Sequence, residues 1–221
     1  GVKEAWTYYR YKRGLFSSSL IEAGGFIKSS PKQKTPDLQL MLTPALFNDH
    51  GRDWRFMMGW GFSIHATLLR PKSRGYITLK DNNPESDPNI QLNLLSHKDD
   101  YQPLIEGIKQ IRNIVLSPAL HAYQLEEVFP GKDKNSERAL KEFIHNKANH
   151  VYHPVGSCRM GSDENSVVDL EMRVRGTENL RIVDASVFPD QISGNTNATI
   201  VAMADKISAT ILAQAHVQDA Q

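Results

Sequence analysis

A histidine, a proline, two glycines, the only cysteine and an arginine fall between Tyr152 and Ser162 in the run YHPVGSCRMGS. Polar and special-backbone residues crowded this closely make poor core material, so the run is read for chemistry: a metal, a nucleophile, an acid–base centre or an ordinary loop. His150, His153 and Cys158 have the spacing H-x2-H-x4-C, three ligands that could hold zinc with one position open, but no second cysteine or group of acids lies near them. The nucleophile elbow G-x-S-x-G is met neither by VGSCRMG nor by GFSIH at 61–65, which lacks the final glycine. Cys158 reads as a small buried hydrophobe, Met160 as core and Arg159 as a cation that fastens a loop. His153 stays open between a satisfied structural histidine and an acid–base group. Pro154 fixes its own φ and biases the residue before it toward extended backbone, which sets the direction of the imidazole. Gly156 and Gly161 let backbone pass close to a ligand.

The second polar run is SGNTNAT at 193–199. Two asparagines two residues apart cannot both cap the helix that follows; Asn197 is the expected cap, which leaves Asn195 to project elsewhere as a neutral donor and acceptor. A helix start behind a glycine-bearing loop is a ready place for negative charge, from a phosphate or from the pyrimidine end of a reduced flavin.

Several elements must position these runs. Phe62, Ile64, Ala66 and Leu68 alternate with polar residues, the period of a half-buried strand, and GYITLK at 75–80 and IQLNLL at 90–95 repeat it. The turn-rich KDNNPESDPN between the last two predicts antiparallel pairing. Tyr101, Leu104, Ile105, Ile108, Ile111 and Val115 stripe one helix. A second begins near Asn135 or Ser136, stripes Leu140, Phe143, Ile144 and Ala148, and ends at NHVYHP, so the histidine run lies on a loop just beyond a helix. LRIVDAS at 180–186 reads as a short strand ending in an acid, and Ile200, Met203, Ala204, Ile207 and Ile211 mark a last helix. Strand, loop and helix make half of a βαβ unit, with Asp184 and the asparagine loop where such units hold ligands. Residues 1–60, rich in Gly, Ser, Pro and aromatics, show no clear period.

The 26 basic and 25 acidic residues leave a net charge of +1, too little for a long-range field that would hold a nucleic acid or an anionic membrane. A small neutral or zwitterionic partner suits it better. One cysteine cannot form an internal disulfide, and no run is long enough to span a bilayer. These features predict a reduced, cytoplasmic protein, with peripheral membrane association left open. The chain opens at Gly1 in what reads as mid-sequence, so a piece of a longer protein is expected.

Taken together, YHPVGSCRMG, then NLRIVDASVFPDQISGNTNATIVAMADKISATIL, and upstream SRGYITLKDNNPESDPNIQLNLLSHKDD, resemble the carboxyl-terminal part of the glucose-methanol-choline (GMC) oxidoreductases, their bacterial choline dehydrogenase-like branch above all. The resemblance covers about residues 10–214, with the motifs in family order and spacing. The family's G-x-G-x-x-G fingerprint is not in these 221 residues.

The resemblance implies an α+β fold: an antiparallel sheet with flanking helices, residues 1–150, as the substrate-binding domain, and a strand–loop–helix segment, 151–221, that returns to an FAD-binding α/β domain whose amino-terminal part is absent. It implies FAD-dependent oxidation of the CH–OH group of a primary alcohol, choline-like, alkanol or aromatic, with hydride passing to flavin N5. His153 is then the base and Asn195 its partner. Tyr152, Asp184, Ala185, Thr196 and Asn197 are then the cofactor contacts, and no metal is called for. Trp54, Trp60 and Phe62 are candidates for an aromatic cage around a trimethylammonium group. The fragment by itself is expected to be inactive, not to retain FAD, and to self-associate through the surface its missing half should cover. The alternative is a non-catalytic domain that binds a ligand or a partner, which the colour of the purified protein would distinguish.

Overall fold

The computed structural model describes residues 2–123 and 126–219. They form two compact units, Gly1–Leu68 with Lys98–Asn149, and Leu69–His97 with His150–Gln221. The segment 69–97 thus groups with the carboxyl-terminal residues, apart from the chain on either side of it.

In the first unit α1 (Val2–Tyr11) precedes a three-stranded antiparallel sheet in sequential order, β1 (Ala23–Ile27), β2 (Leu38–Thr43) and β3 (Ser63–Leu68), with the one-turn α2 (Trp54–Met57) before β3. Leu38, Leu40 and Leu42 alternate along β2 and oppose Leu68, Ala66 and Ile64 of β3, which gathers an apolar face. The amphipathic α3 (Tyr101–Val115) lies on it. Gly107 makes that approach possible: a Cβ there would come within 3.0 Å of the Ala66 methyl and 3.2 Å of Leu38. Ser136 caps α4 (Glu137–Lys147) by accepting the Ala139 N–H at 3.2 Å, and α4 packs on α3. Leu38, Ile105 and Leu140 are almost wholly buried, worth about 1.5–3 kcal/mol each in transfer free energy. Arg112 of α3 fastens the loop between the helices, donating to the Glu127 carboxylate and to the carbonyls of Gly131 and Lys134.

The second unit opens with a hairpin of β4 (Tyr76–Thr78) and β5 (Asn89–Gln91), antiparallel as expected. Among the described residues there are thus two separate sheets rather than one. The core of the second unit is Val168, Met172, Val187 and Ile207, flanked by Met160, Val174, Ile182, Val183 and Met203. Ile207 and Met203 belong to α5 (Asn197–Asp219). The expected strand at 180–186 is reduced to a single bridge between Arg181 and Arg173. The Asp184 side chain explains where it stops: it accepts the Ser186 N–H at 2.7 Å and winds residues 185–187 into a 3-10 turn, a local bond that competes with a ladder. No helix among the described residues is long and apolar enough to cross a membrane.

Candidate active site

The histidine run leaves α4 and enters the second unit at His150. Tyr152 sits in the left-handed region, φ +62°, which costs a residue with a Cβ about 1–2 kcal/mol. Its N–H donates to Nδ1 of His150 at 3.2 Å, and the two rings meet edge to face with centroids 4.7 Å apart. His153 follows with a half-buried ring that makes no hydrogen bond to the described residues. After Pro154, Gly156 at φ +88° turns the chain beside the Phe188 carbonyl. The Cys158 N–H then donates to the Ser186 carbonyl at 2.9 Å and the Met160 N–H to the Val187 carbonyl at 2.8 Å. This seam lays the histidine loop along the segment that starts at Asp184 and Ala185.

The rest of the run anchors it. Met160 packs on the core and Cys158 is half-buried. Arg159 makes a two-pronged pair with Asp163, with bonds of 2.6 and 2.8 Å. Hydrogen bonding from Arg159 and the Asn165 N–H holds the Asp163 carboxyl down at about 2. Gly161 is needed because a Cβ there would sit 2.8 Å from Asp163 and 3.1 Å from Ser166. The buried Ser166 hydroxyl donates in that corner to the carbonyls of Gly161 and Asp163.

The Ile200 N–H donates to the Thr196 carbonyl at 3.0 Å, so Thr196 is the residue that opens α5 and Asn197 stands in its first turn. The expectation that Asn197 is the cap is corrected by that bond, since the cap carbonyl accepts the first helical hydrogen bond. Thr196 is buried, whereas Asn195 and Asn197 are exposed on either side of it. A Cβ on Gly194 would meet no heavy atom within 4 Å, so the approach to this helix start is open.

Two arginines that the sequence reading passed over hold the asparagine loop. Arg70 Nε donates to the Ser193 hydroxyl at 2.8 Å, and Arg74 reaches the Asp190 carboxylate at 3.0 Å while also donating to the carbonyls of Pro71 and Ser73. They carry the hairpin segment 69–97 into the second unit. No periodicity marks such residues; only two arginines flanking a proline, before a glycine that starts a strand, hinted at them.

His150 accepts the Tyr152 N–H at Nδ1, and among the described residues no three His, Cys, Asp or Glu side chains form a group able to hold a metal ion. Trp54 and Trp60 of the first unit are exposed and Phe62 is half-buried; Trp54 lies beneath the Arg55 guanidinium.

The family profile described as GMC oxidoreductase matches residues 71–204, which includes the hairpin, the histidine run and the start of α5. The chain belongs to the GMC oxidoreductase family. This GMC chain is 40% identical over 212 residues to an alcohol dehydrogenase [acceptor] of Pseudomonas putida, an alignment covering 96% of the chain and 38% of that relative. It is 42% identical over 196 residues to an oxygen-dependent choline dehydrogenase of Pseudomonas aeruginosa, covering 89% and 35%. The chain therefore spans little more than a third of the length of these relatives. Its fold is similar to part of a formate oxidase from Aspergillus oryzae RIB40, with a TM-score of 0.82 at 21% identity over 96% of this chain and 41% of that one. Pyridoxine 4-oxidase from Mesorbium loti gives 0.77 at 22% identity, over 86% and 38%.

Proposed function

We propose that the chain is the carboxyl-terminal part of an FAD-dependent oxidoreductase that acts on the CH–OH group of a primary alcohol, of the choline-like, alkanol or aromatic kind. The observation that carries the reading is the backbone seam from Cys158 and Met160 to Ser186 and Val187, which lays the His153 loop along the Asp184–Ala185 segment. Family membership and the relatives named for alcohol and choline dehydrogenation support it.

The residues present fit one end of a flavin. The first amides of α5 have no carbonyl four residues back to bind, the helix start favours negative charge, and Gly194 leaves the approach open. Thr196 and Asn197 would hold the negative end of the ring there, with Asp184, Ala185 and Tyr152 as its other contacts. When bound, a flavin supplies the acceptor for the hydrogen carried on the alcohol carbon.

His153 takes the hydroxyl proton at a ring nitrogen. A neutral imidazole nitrogen is the side-chain base most often used for such a transfer. The side-chain amide of Asn195 donates to the alkoxide oxygen as charge develops, an electrostatic contribution worth about 2.7–4 kcal/mol where a comparable donor has been removed from another class of enzyme. In this reading residues 1–150 bind substrate, 151–221 return to the FAD-binding domain, and the remainder of the protein grips the rest of the dinucleotide. The isolated chain is then inactive and does not retain FAD. Its setting is the cytoplasm.

The test joins the chain to the remainder of its protein, records the flavin spectrum anaerobically against a panel of primary alcohols, and repeats it with His153→Ala. Bleaching by one alcohol class in the parent but not in the variant is expected. Absence of flavin, or bleaching that the substitution leaves untouched, overturns the reading.

A further inference from the structure

We infer that His150 is a positioning residue for His153 and that it acts through one atom, Nδ1, as the acceptor that closes the turn beneath Tyr152. The inference rests on the reading of His153 as base. Three features of the second unit meet here: the Tyr152 N–H donates to His150 Nδ1 at 3.2 Å, Tyr152 is held at φ +62°, and the rings of His150 and Tyr152 lie edge to face at 4.7 Å. Tyr152 is 64% exposed, so burial does little to pin it. A residue with a Cβ stays in the left-handed region only when its surroundings impose it, and here the imposed contact comes from the side chain two residues earlier.

The geometry is that of an Asx turn made with a histidine. Nδ1 is bonded to Cγ, as Oδ1 is in asparagine, so an asparagine or aspartate at 150 can accept the same N–H two residues on. An accepting Nδ1 carries no proton, which fixes His150 as the tautomer protonated at Nε2. The turn sets the exit of the chain from Tyr152, and Pro154 fixes the next φ but one. His153 is thus aimed by a lock on each side, the His150 turn before it and the proline ring after it. Removing the first lock frees the backbone to leave the left-handed well, which swings the His153 ring while leaving its chemistry unchanged.

The experiment compares His150→Asn with His150→Leu in the full-length protein, with His153→Ala as a reference. Hydrogen exchange at the Tyr152 amide, resolved by fragmentation mass spectrometry, reads the turn directly; anaerobic flavin bleaching reads its consequence. Slow exchange is expected in the parent and His150→Asn, and faster exchange in His150→Leu. The rate of flavin reduction at saturating alcohol should fall on the order of 10²-fold in His150→Leu, as for a reacting group displaced by an ångström, and be restored in His150→Asn, with flavin content alike in all three. Two results overturn the inference: a His150→Leu protein with parent-like exchange and rate, or a His150→Asn protein as impaired as His150→Leu. If His153→Ala bleaches like the parent, the base assignment fails instead, and the exchange measurement still decides whether His150 holds the turn.

Discussion

Cys158 and Ser186 are joined through their backbones, the Cys158 N–H to the Ser186 carbonyl at 2.9 Å, and the Cys158 thiol takes no part in the bond. The only cysteine of the chain therefore sits at the seam of the candidate site for the conformation it adopts. Cys158→Ala should keep alcohol-dependent flavin reduction and cost less than about 1.5 kcal/mol in unfolding free energy, as for a small half-buried hydrophobe. Gly156→Ala should cost about 1–2 kcal/mol from its φ of +88° alone, measured by denaturant unfolding. A thiol-dependent reaction would reverse the order of the two on activity.

The Asp163 carboxyl is held at about 2 chiefly by the hydrogen bonds from Arg159. Its folded value lies below its ordinary value of 3.8, so what it adds to stability is complete above that pH and is lost as pH falls through about 2. Carbon-detected NMR titration should give a midpoint near the lower value in the parent. In Arg159→Leu the midpoint should move back toward the ordinary carboxylate range. An unmoved midpoint would mean that backbone donors, not the guanidinium, hold it.

His65 of β3 gives the opposite chemistry with the same direction of shift. Its Nε2 is buried without a hydrogen-bond partner among the described residues, and burial lowers its pKa from 6.5. Below 6.5 the unfolded chain takes up a proton that the folded chain refuses, so stability is full above that value and falls as pH drops toward the lowered one. His65→Phe, which keeps an aromatic ring against Phe47, should flatten that limb of a plot of melting temperature against pH. Retention of the limb would assign it to another group.

Much of this fold is legible because its periods are clean. The stripe of α3, the Ser136 cap and the alternation of β3 are each written in adjacent residues and met as expected. Strand β2 is not read: Leu38, Leu40 and Leu42 do alternate, but the turn residues of PKQKTPD just before it mask the start. Helix α1 carries only a short stripe, Ala5, Trp6 and Tyr9, and its aromatics Trp6, Tyr8, Tyr9 and Tyr11 are all exposed. At the site, local sequence shows the His153–Pro154 constraint but not Arg70 and Arg74, whose partners Ser193 and Asp190 lie more than a hundred residues away. Nor does an apolar run such as LRIV reveal that a side chain two residues upstream of Ser186 will end it as a turn.

Gly107 tests how closely α3 must approach the sheet. In a solvent-exposed helix Gly→Ala stabilises by about 1 kcal/mol. Here the new methyl would lie 3.0 Å from Ala66 Cβ and 3.2 Å from Leu38 Cδ1, and Leu38 is fully buried with little room to yield. Overpacking of this kind costs about 1–3 kcal/mol, so the contact outweighs the propensity. Gly107→Ala should lower the denaturant midpoint, and Ala66→Gly in the same chain should recover part of the loss.

The two asparagines beside Thr196 should separate by function. Asn197 stands in the first turn of α5, exposed and past the cap, so Asn197→Ala should cost little stability. It should also leave the rate of flavin reduction within a few-fold of the parent, because the contact assigned to it is through backbone. Asn195, by contrast, is assigned the alkoxide through its side-chain amide, and Asn195→Ala should slow flavin reduction on the order of 10²–10³-fold, as for loss of one preorganised donor. Asn195→His, which keeps a donor at that position, should recover part of the rate. Equal rates for the two alanine variants would detach Asn195 from the chemistry and leave the loop held by Arg70 and Arg74 as scaffold alone.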